Sequence, residues 1–190
     1  MLSARQDVSS SFFIYINIII EYNSSMIDQA AALVIAALAS YSGTVIKTEE
    51  QTSCLALNIY HEARGQSIAG QIAVGQVTLN RVKDKRFPNT ICEVVTQGPH
   101  RPSWKGTGEM IPVRNKCHFS WYCDGKSDKV KQPKVYDKIM ALSRMLVNQD
   151  MIDITSGATH YHADYVYPAW AKTKRRTTKI EDHIFYRWEF

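Results

Sequence analysis

A stretch that is apolar on nearly every side constrains a chain more than any motif, because it has to be enclosed. Residues 66–84 form such a stretch. Ile68, Ile72, Leu79 and Val82 fall within one narrow arc at helical spacing, and Ala69, Ala73, Val74 and Val77 carry the apolar surface almost all the way round. The spacing predicts a central helix. Gly70 and Gly75 lower helix propensity there but let a neighbouring element come close. A second helix is expected just before it, over 49–63. Thr48 and Gln51 have the spacing of a capping box, Glu49 and Glu50 lie where a helix N-terminus favours negative charge, and Gly65 is placed to end the helix in a left-handed conformation. Pro133 can open a third helix, along which Val135, Ile139, Leu142 and Leu146 make one stripe.

Leu55, Ile59 and Glu62 follow one another at helical spacing, so Glu62 should emerge from the face that Leu55 and Ile59 bury. Partial burial and the nearby carbonyls of the helix C-terminus would both disfavour its charge and hold it protonated near neutral pH. A carboxylic acid kept neutral on the edge of a core is what a glycosidase needs to protonate a leaving oxygen. The plainer reading is a surface acid paired with Arg64 or Lys83. His61-Glu62 does not make the zinc helix of metalloproteases, which needs a second His at the fifth position, where Gly65 stands.

With 190 residues, the chain has room for one domain, 48–190, and an N-terminal appendage, 1–47. In the appendage, Phe12–Ile20 and Ala30–Ala39 are apolar runs shorter than the ~18 to 20 residues that span a bilayer. The second run ends in Ala37-Leu38-Ala39, which fits cleavage after Ala39, and Met26 precedes it as an alternative start. An export signal, a membrane-proximal anchor and an ordinary helix stay open for this segment. Net charge of +5 favours anionic partners, such as an envelope polymer or a lipid face. Cys54 is expected as a buried free thiol, while Cys117 and Cys123 could pair with each other or reach Cys92.

Gly98–Asn115, rich in proline and glycine around Trp104, is expected to be a long loop. Ala158–Tyr167 and His183–Trp188 turn aromatic and alternating, as two strands of an antiparallel pair around the basic turn Lys172–Arg176. In a strand, His160, His162 and Asp164 would share one face. That face is either a polar wall along a sugar cleft or, with a further ligand, a zinc site. Cys117–Gly125 packs Phe119, Ser120, Trp121, Tyr122 and Asp124 closely together. Aromatic rings stack on sugar faces and short polar side chains read hydroxyls, although core packing explains the rings equally well. No phosphate cradle, Gly-x-Ser-x-Gly elbow or nucleic-acid module is present, so no nucleic-acid partner is expected.

Taken in order, Leu57–Gln66, Ala73–Val82, Arg86–Val95, His118–Trp121 with Cys123–Gly125, and Ala158–Asp164 resemble the SleB/CwlJ cell-wall hydrolase family, over roughly residues 52–187. The resemblance implies an α+β fold, a mainly helical lysozyme-like domain with a small antiparallel β element. It implies a peptidoglycan hydrolase exported to the bacterial envelope or periplasm, or a phage endolysin acting at the host wall. It also aligns the family's catalytic glutamate with Glu62 and implies cleavage of the bond between N-acetylmuramic acid (MurNAc) and N-acetylglucosamine (GlcNAc), as in lytic transglycosylases.

In such an enzyme the C6 hydroxyl of the muramic acid attacks C1, so one carboxylate can suffice where most glycosidases use two. Candidates for binding the glycan are His61, Arg64, Ser120, Trp121, Asp124, His160, Tyr161 and His162. Should water attack instead, Glu93, Asp124 and Asp164 are candidate second carboxylates. Gln66 stands where many relatives carry a second acid, so that position is not expected to donate the proton. Without a wall-binding repeat in the sequence, targeting would rest on the cleft, the net charge and the Trp104 loop. No cofactor, metal or obligate protein partner is expected. The alternatives are a zinc-dependent N-acetylmuramoyl-L-alanine amidase using His160 and His162, and a non-catalytic wall-binding module.

Overall fold

In the computed structural model, residues 48–149 and 151–189 are described; the expected appendage at 1–47, with its signal and anchor readings, lies outside them. Helix α1 runs through 48–63. It is followed by α2 (Ile68–Lys83), α3 (Ile91–Val95) and α4 (Pro133–Asn148). Strands β1 (His100–Pro102) and β2 (Met110–Pro112) form a hairpin. Strands β3 (His160–Ala163), β4 (Arg175–Ile180) and β5 (His183–Arg187) form an antiparallel sheet in the order β3-β5-β4. The fold is α+β, as expected, and among the described residues no helix is long and apolar enough to cross a membrane.

Helix α2 is the centre of the domain, packed against α3, α4 and β4. On one side its Val74 joins Leu55 and Ile59 of α1 and Ile139 and Leu146 of α4 in one core. On the other, Ala73 and Val77 meet Ala158 and Phe185 at the sheet. Each large aliphatic side chain enclosed this way contributes about 1.5–3 kcal/mol. The arc of bulky residues is not the innermost one, since Ile68 is 69% exposed. Small residues take the inner positions because two layers have to approach the same helix. At Gly75 a Cβ would lie 2.7 Å from Leu146 Cδ1 and 3.0 Å from Ile59 Cδ1, so the missing side chain is what lets α1 and α4 meet over α2.

Several local expectations are corrected. Thr48 is already helical, and Gln51 Oε1 accepts the Cys92 backbone N–H at 3.1 Å, so the capping box does not form. Glu49 instead pairs with Arg144 at 2.6 Å. Gly65 does not adopt a left-handed conformation. A tight turn closed by Gln66 N–H on the Ala63 carbonyl (3.0 Å) delivers the chain directly to Ser67, which caps α2. Cys54 is no free thiol. It is bonded to Cys92 and ties α1 to α3, on the face where Gln51 also reaches α3, and Cys117 pairs with Cys123. The long loop contains the β1–β2 hairpin, with Gly106 and Gly108 in the left-handed region between its strands. The basic segment is no turn either. A 3-10 helix, Ala169–Thr173, leads into β4, and the reversal falls at Glu181, in the left-handed region at φ 50.

Candidate active site

Glu62 lies in the last turn of α1, half-buried, one turn beyond Asn58 and on the face that Leu55 and Ile59 bury completely. The sheet supplies its partner. Tyr161 on β3 donates its hydroxyl to Glu62 Oε2 at 2.9 Å. Burial raises the Glu62 pKa above the ordinary glutamate value, against the smaller opposing pulls of the Tyr161 hydrogen bond and the Arg81 charge. Burial, and next the adjoining Glu62, holds the Tyr161 phenol well above its own ordinary value, so it stays a donor. No ion pair with Arg64 or Lys83 forms. Arg64 donates to the Tyr60 carbonyl at 3.2 Å and lies over the Tyr60 ring.

Arg81, which the spacing did not single out, projects from α2 into the same region and is only 6% exposed. Its Nε donates to the Thr159 carbonyl at 2.8 Å, at the foot of β3. Its guanidinium lies 4.7 Å from the Phe119 ring centre and 5.3 Å from that of Phe87, and Nη1 has no partner among the described residues. A signal did exist. Arg81 falls one turn after Val77 and Thr78, on the buried face of a helix that must be enclosed.

A second wall is built around Asn58. Its Nδ2 donates to Thr78 Oγ1 (3.0 Å), and its Oδ1 accepts the Trp121 indole N–H (2.9 Å). The His61 ring stacks on Trp121 at 4.4 Å with planes 16° apart. Trp121 sits on a 3-10 helix, Ser120–Cys123, which the Cys117–Cys123 disulfide closes at its end. Beside this stack lies a cavity of about 330 Å³ whose walls include Tyr60, His61, Arg64, Trp121, Asp124 and Lys131. Glu62 is not among its lining residues, although His61 and Arg64 on either side of it in the sequence are. Backbone hydrogen bonding from Lys126 holds the Asp124 carboxyl below its usual range, so it is ionised there.

The remaining candidates are placed differently. His160 and His162 alternate with Tyr161 along β3 and pack among Trp170, Trp188 and Tyr186. His162 is buried, with Nε2 3.0 Å from the Tyr186 hydroxyl. Burial, with the Arg81 and Lys174 charges, pushes the His160 pKa down to about 3. Ser120 is exposed. Asp164 lies just past β3 and pairs with Lys179 at 2.7 Å, and Glu93 accepts the hydroxyl of the α3 capping residue Thr90 at 2.7 Å. Of the three candidate second carboxylates, Asp124 lines this cavity at the end of α1, and Glu93 and Asp164 do not. Among the described residues, no group of three or more His, Cys, Asp or Glu is placed to hold a metal ion.

Fold and site together define an α+β domain with a half-buried acid at a helix end, held by a tyrosine and flanked by an aromatic-walled cavity. The chain belongs to the Cell Wall Hydrolase family, whose model matches residues 65–186. That match begins just past Glu62. A spore cortex-lytic enzyme of Bacillus cereus is 27% identical over 139 residues, 73% of this chain and 44% of that protein, so the chain spans less than half the length of this relative. Among solved structures, the catalytic domain of a germination-specific lytic transglycosylase, SleB from Bacillus anthracis, aligns with a TM-score of 0.52 at 25% identity. That alignment covers 72% of this chain and 93% of that domain.

Proposed function

We propose that this chain is a peptidoglycan hydrolase that cleaves the MurNAc–GlcNAc bond as a lytic transglycosylase, with Glu62 as its general acid and base. The observation that carries this reading is the half-buried Glu62, whose pKa burial raises above the ordinary glutamate value and whose Oε2 the Tyr161 hydroxyl holds. Because Oε2 accepts from Tyr161, the proton of the neutral acid resides on Oε1, free to be given to the leaving oxygen. The C1–oxygen bond breaks as that proton arrives. The C6 hydroxyl of the muramic acid then bonds to C1, closing a 1,6-anhydro ring, and its proton passes to the Glu62 carboxylate. The acid is regenerated with no water consumed, and holding O6 close to C1 supplies much of the rate by proximity.

The His61–Trp121 stack is the surface on which a sugar face would rest, with Arg64 and Asp124 in reach of polar substituents. His160 and His162 flank Tyr161 in sequence along β3 and pack against Trp170, Trp188 and Tyr186, and the exposed Ser120 precedes Trp121 on its 3-10 helix. In this reading 48–190 is the catalytic domain and 1–47 an export or anchoring appendage. The enzyme acts on glycan strands at the envelope, as an exported or a phage-encoded protein, and its net charge of +5 draws it to anionic surfaces.

The test compares wild type with Glu62→Gln on purified sacculi, with and without a chelator. Cleavage should fall by about 10²-fold or more with fold and wall binding retained, and the chelator should have no effect. Chelator-sensitive release of free stem peptides by both proteins would point to the amidase instead. Binding without any cleavage by wild type would leave only a wall-binding module.

A further inference from the structure

Arg81 is a buried cation without a carboxylate bonded to it. Its Nε is used on the Thr159 carbonyl, two phenyl rings cover its faces, and Nη1 is enclosed without a hydrogen-bond partner among the described residues. Such a group is costly to bury, and a structure keeps it where a negative charge forms next to it. Thr159, whose carbonyl its Nε holds, lies two residues before Tyr161, and the Tyr161 hydroxyl in turn holds Glu62 Oε2, so that the Arg81 charge acts on both groups. His118 and His160 also face it, and burial keeps both below the ordinary histidine value.

We infer that Arg81 is a positioning residue of the proton transfer: it is the standing counter-charge for the Glu62 carboxylate that exists only after the proton has left, and through Thr159 it fixes the strand that presents Tyr161. This rests on the reading of Glu62 as the acid. While Glu62 is neutral, the guanidinium is under-compensated. When the proton moves to the leaving oxygen, the new carboxylate, still held by Tyr161, gains the attraction of the waiting cation. The interaction is therefore stronger after proton transfer than before it, and an interaction of that kind lowers a barrier instead of merely tightening binding.

The test needs no glycan and no change at Arg81. Side-chain ¹⁵N resonances of Arg81 are followed through a pH titration of the wild-type protein, with the Glu62 carboxyl carbon followed in parallel. The Arg81 signals should shift with the midpoint of Glu62, and this transition should vanish in Glu62→Gln. Arg81 resonances that ignore the Glu62 titration would overturn the inference, whatever the enzyme does to peptidoglycan. Activity supplies the second reading. In Arg81→Gln the alkaline limb of the rate profile should move to higher pH, since a carboxylate without its counter-cation holds its proton longer, and the maximal rate should drop about tenfold or more. Arg81→Lys, which keeps the charge, should hold the limb near its wild-type position. A limb that stays put in a folded Arg81→Gln would reduce Arg81 to a packing residue.

Discussion

At the scale of single residues, the proposed chemistry turns on Glu62, a carboxyl whose pKa burial raises and whose Oε2 is held by one phenol. The folded protein binds the Glu62 proton more tightly than the unfolded chain does. Stability from this group is therefore complete below the ordinary glutamate pKa and is lost as pH rises through the raised folded value. Glu62→Gln lacks that loss, so denaturant titrations should find the inactive variant gaining on wild type across that window and holding its advantage above it. A variant that is less stable than wild type above the window would contradict the burial account. Tyr161→Phe removes the bond to Oε2 without removing the ring, and kcat should fall about ten- to a hundredfold, the worth of one hydrogen bond to a charged group. Its alkaline limb should move to higher pH, because the lost bond favoured the carboxylate. Glu62 was legible in the sequence because helical spacing tied it to Leu55 and Ile59. For Arg81 the spacing carried only its place on the buried face of α2; its partners were not legible, since Phe87, Phe119 and Thr159 close around it from outside its helix.

At the scale of elements, the three long helices were readable, while the five-residue α3 and the connections were not. Apolar periodicity located α2 and α4 because each has to bury a continuous surface, and Gly75 marked the close approach of α1 and α4. The β1–β2 hairpin escaped notice because three-residue strands are too short for alternation to show. Third-strand pairing by β4 lay hidden under a run of charge. The Cys54–Cys92 pairing depends on which helices meet, which no spacing reveals, whereas Cys117–Cys123 is one of the pairings the sequence left open. The Cys54–Cys92 bond closes a loop of 38 residues and staples α1, the helix that carries Glu62, to α3. Replacing both with Ser should lower unfolding free energy by about 2–4 kcal/mol. The Cys117–Cys123 bond spans only 6 residues, so the same change there should cost less stability and act mainly on the seating of Trp121. Chemical denaturation of the two double variants decides the order, and equal losses would mean that loop closure is not what these bonds supply.

At the scale of the molecule, one central helix sets the plan. α2 holds α1 on one side and the sheet on the other, so an acid at the end of α1 and a tyrosine on β3 meet beside it. Neither element alone makes the site, which is why its geometry could not be read from residue types along the chain. The central claim is that one acid performs both proton transfers while O6 of the sugar replaces water. Mass spectrometry of the fragments released from purified sacculi tests this directly. Products ending in 1,6-anhydromuramic acid, absent when Glu62→Gln is used, are the predicted result. Reducing muramic ends would mean that water attacks and would bring Asp124 into the chemistry, and free stem peptides released from intact strands would contradict the account altogether.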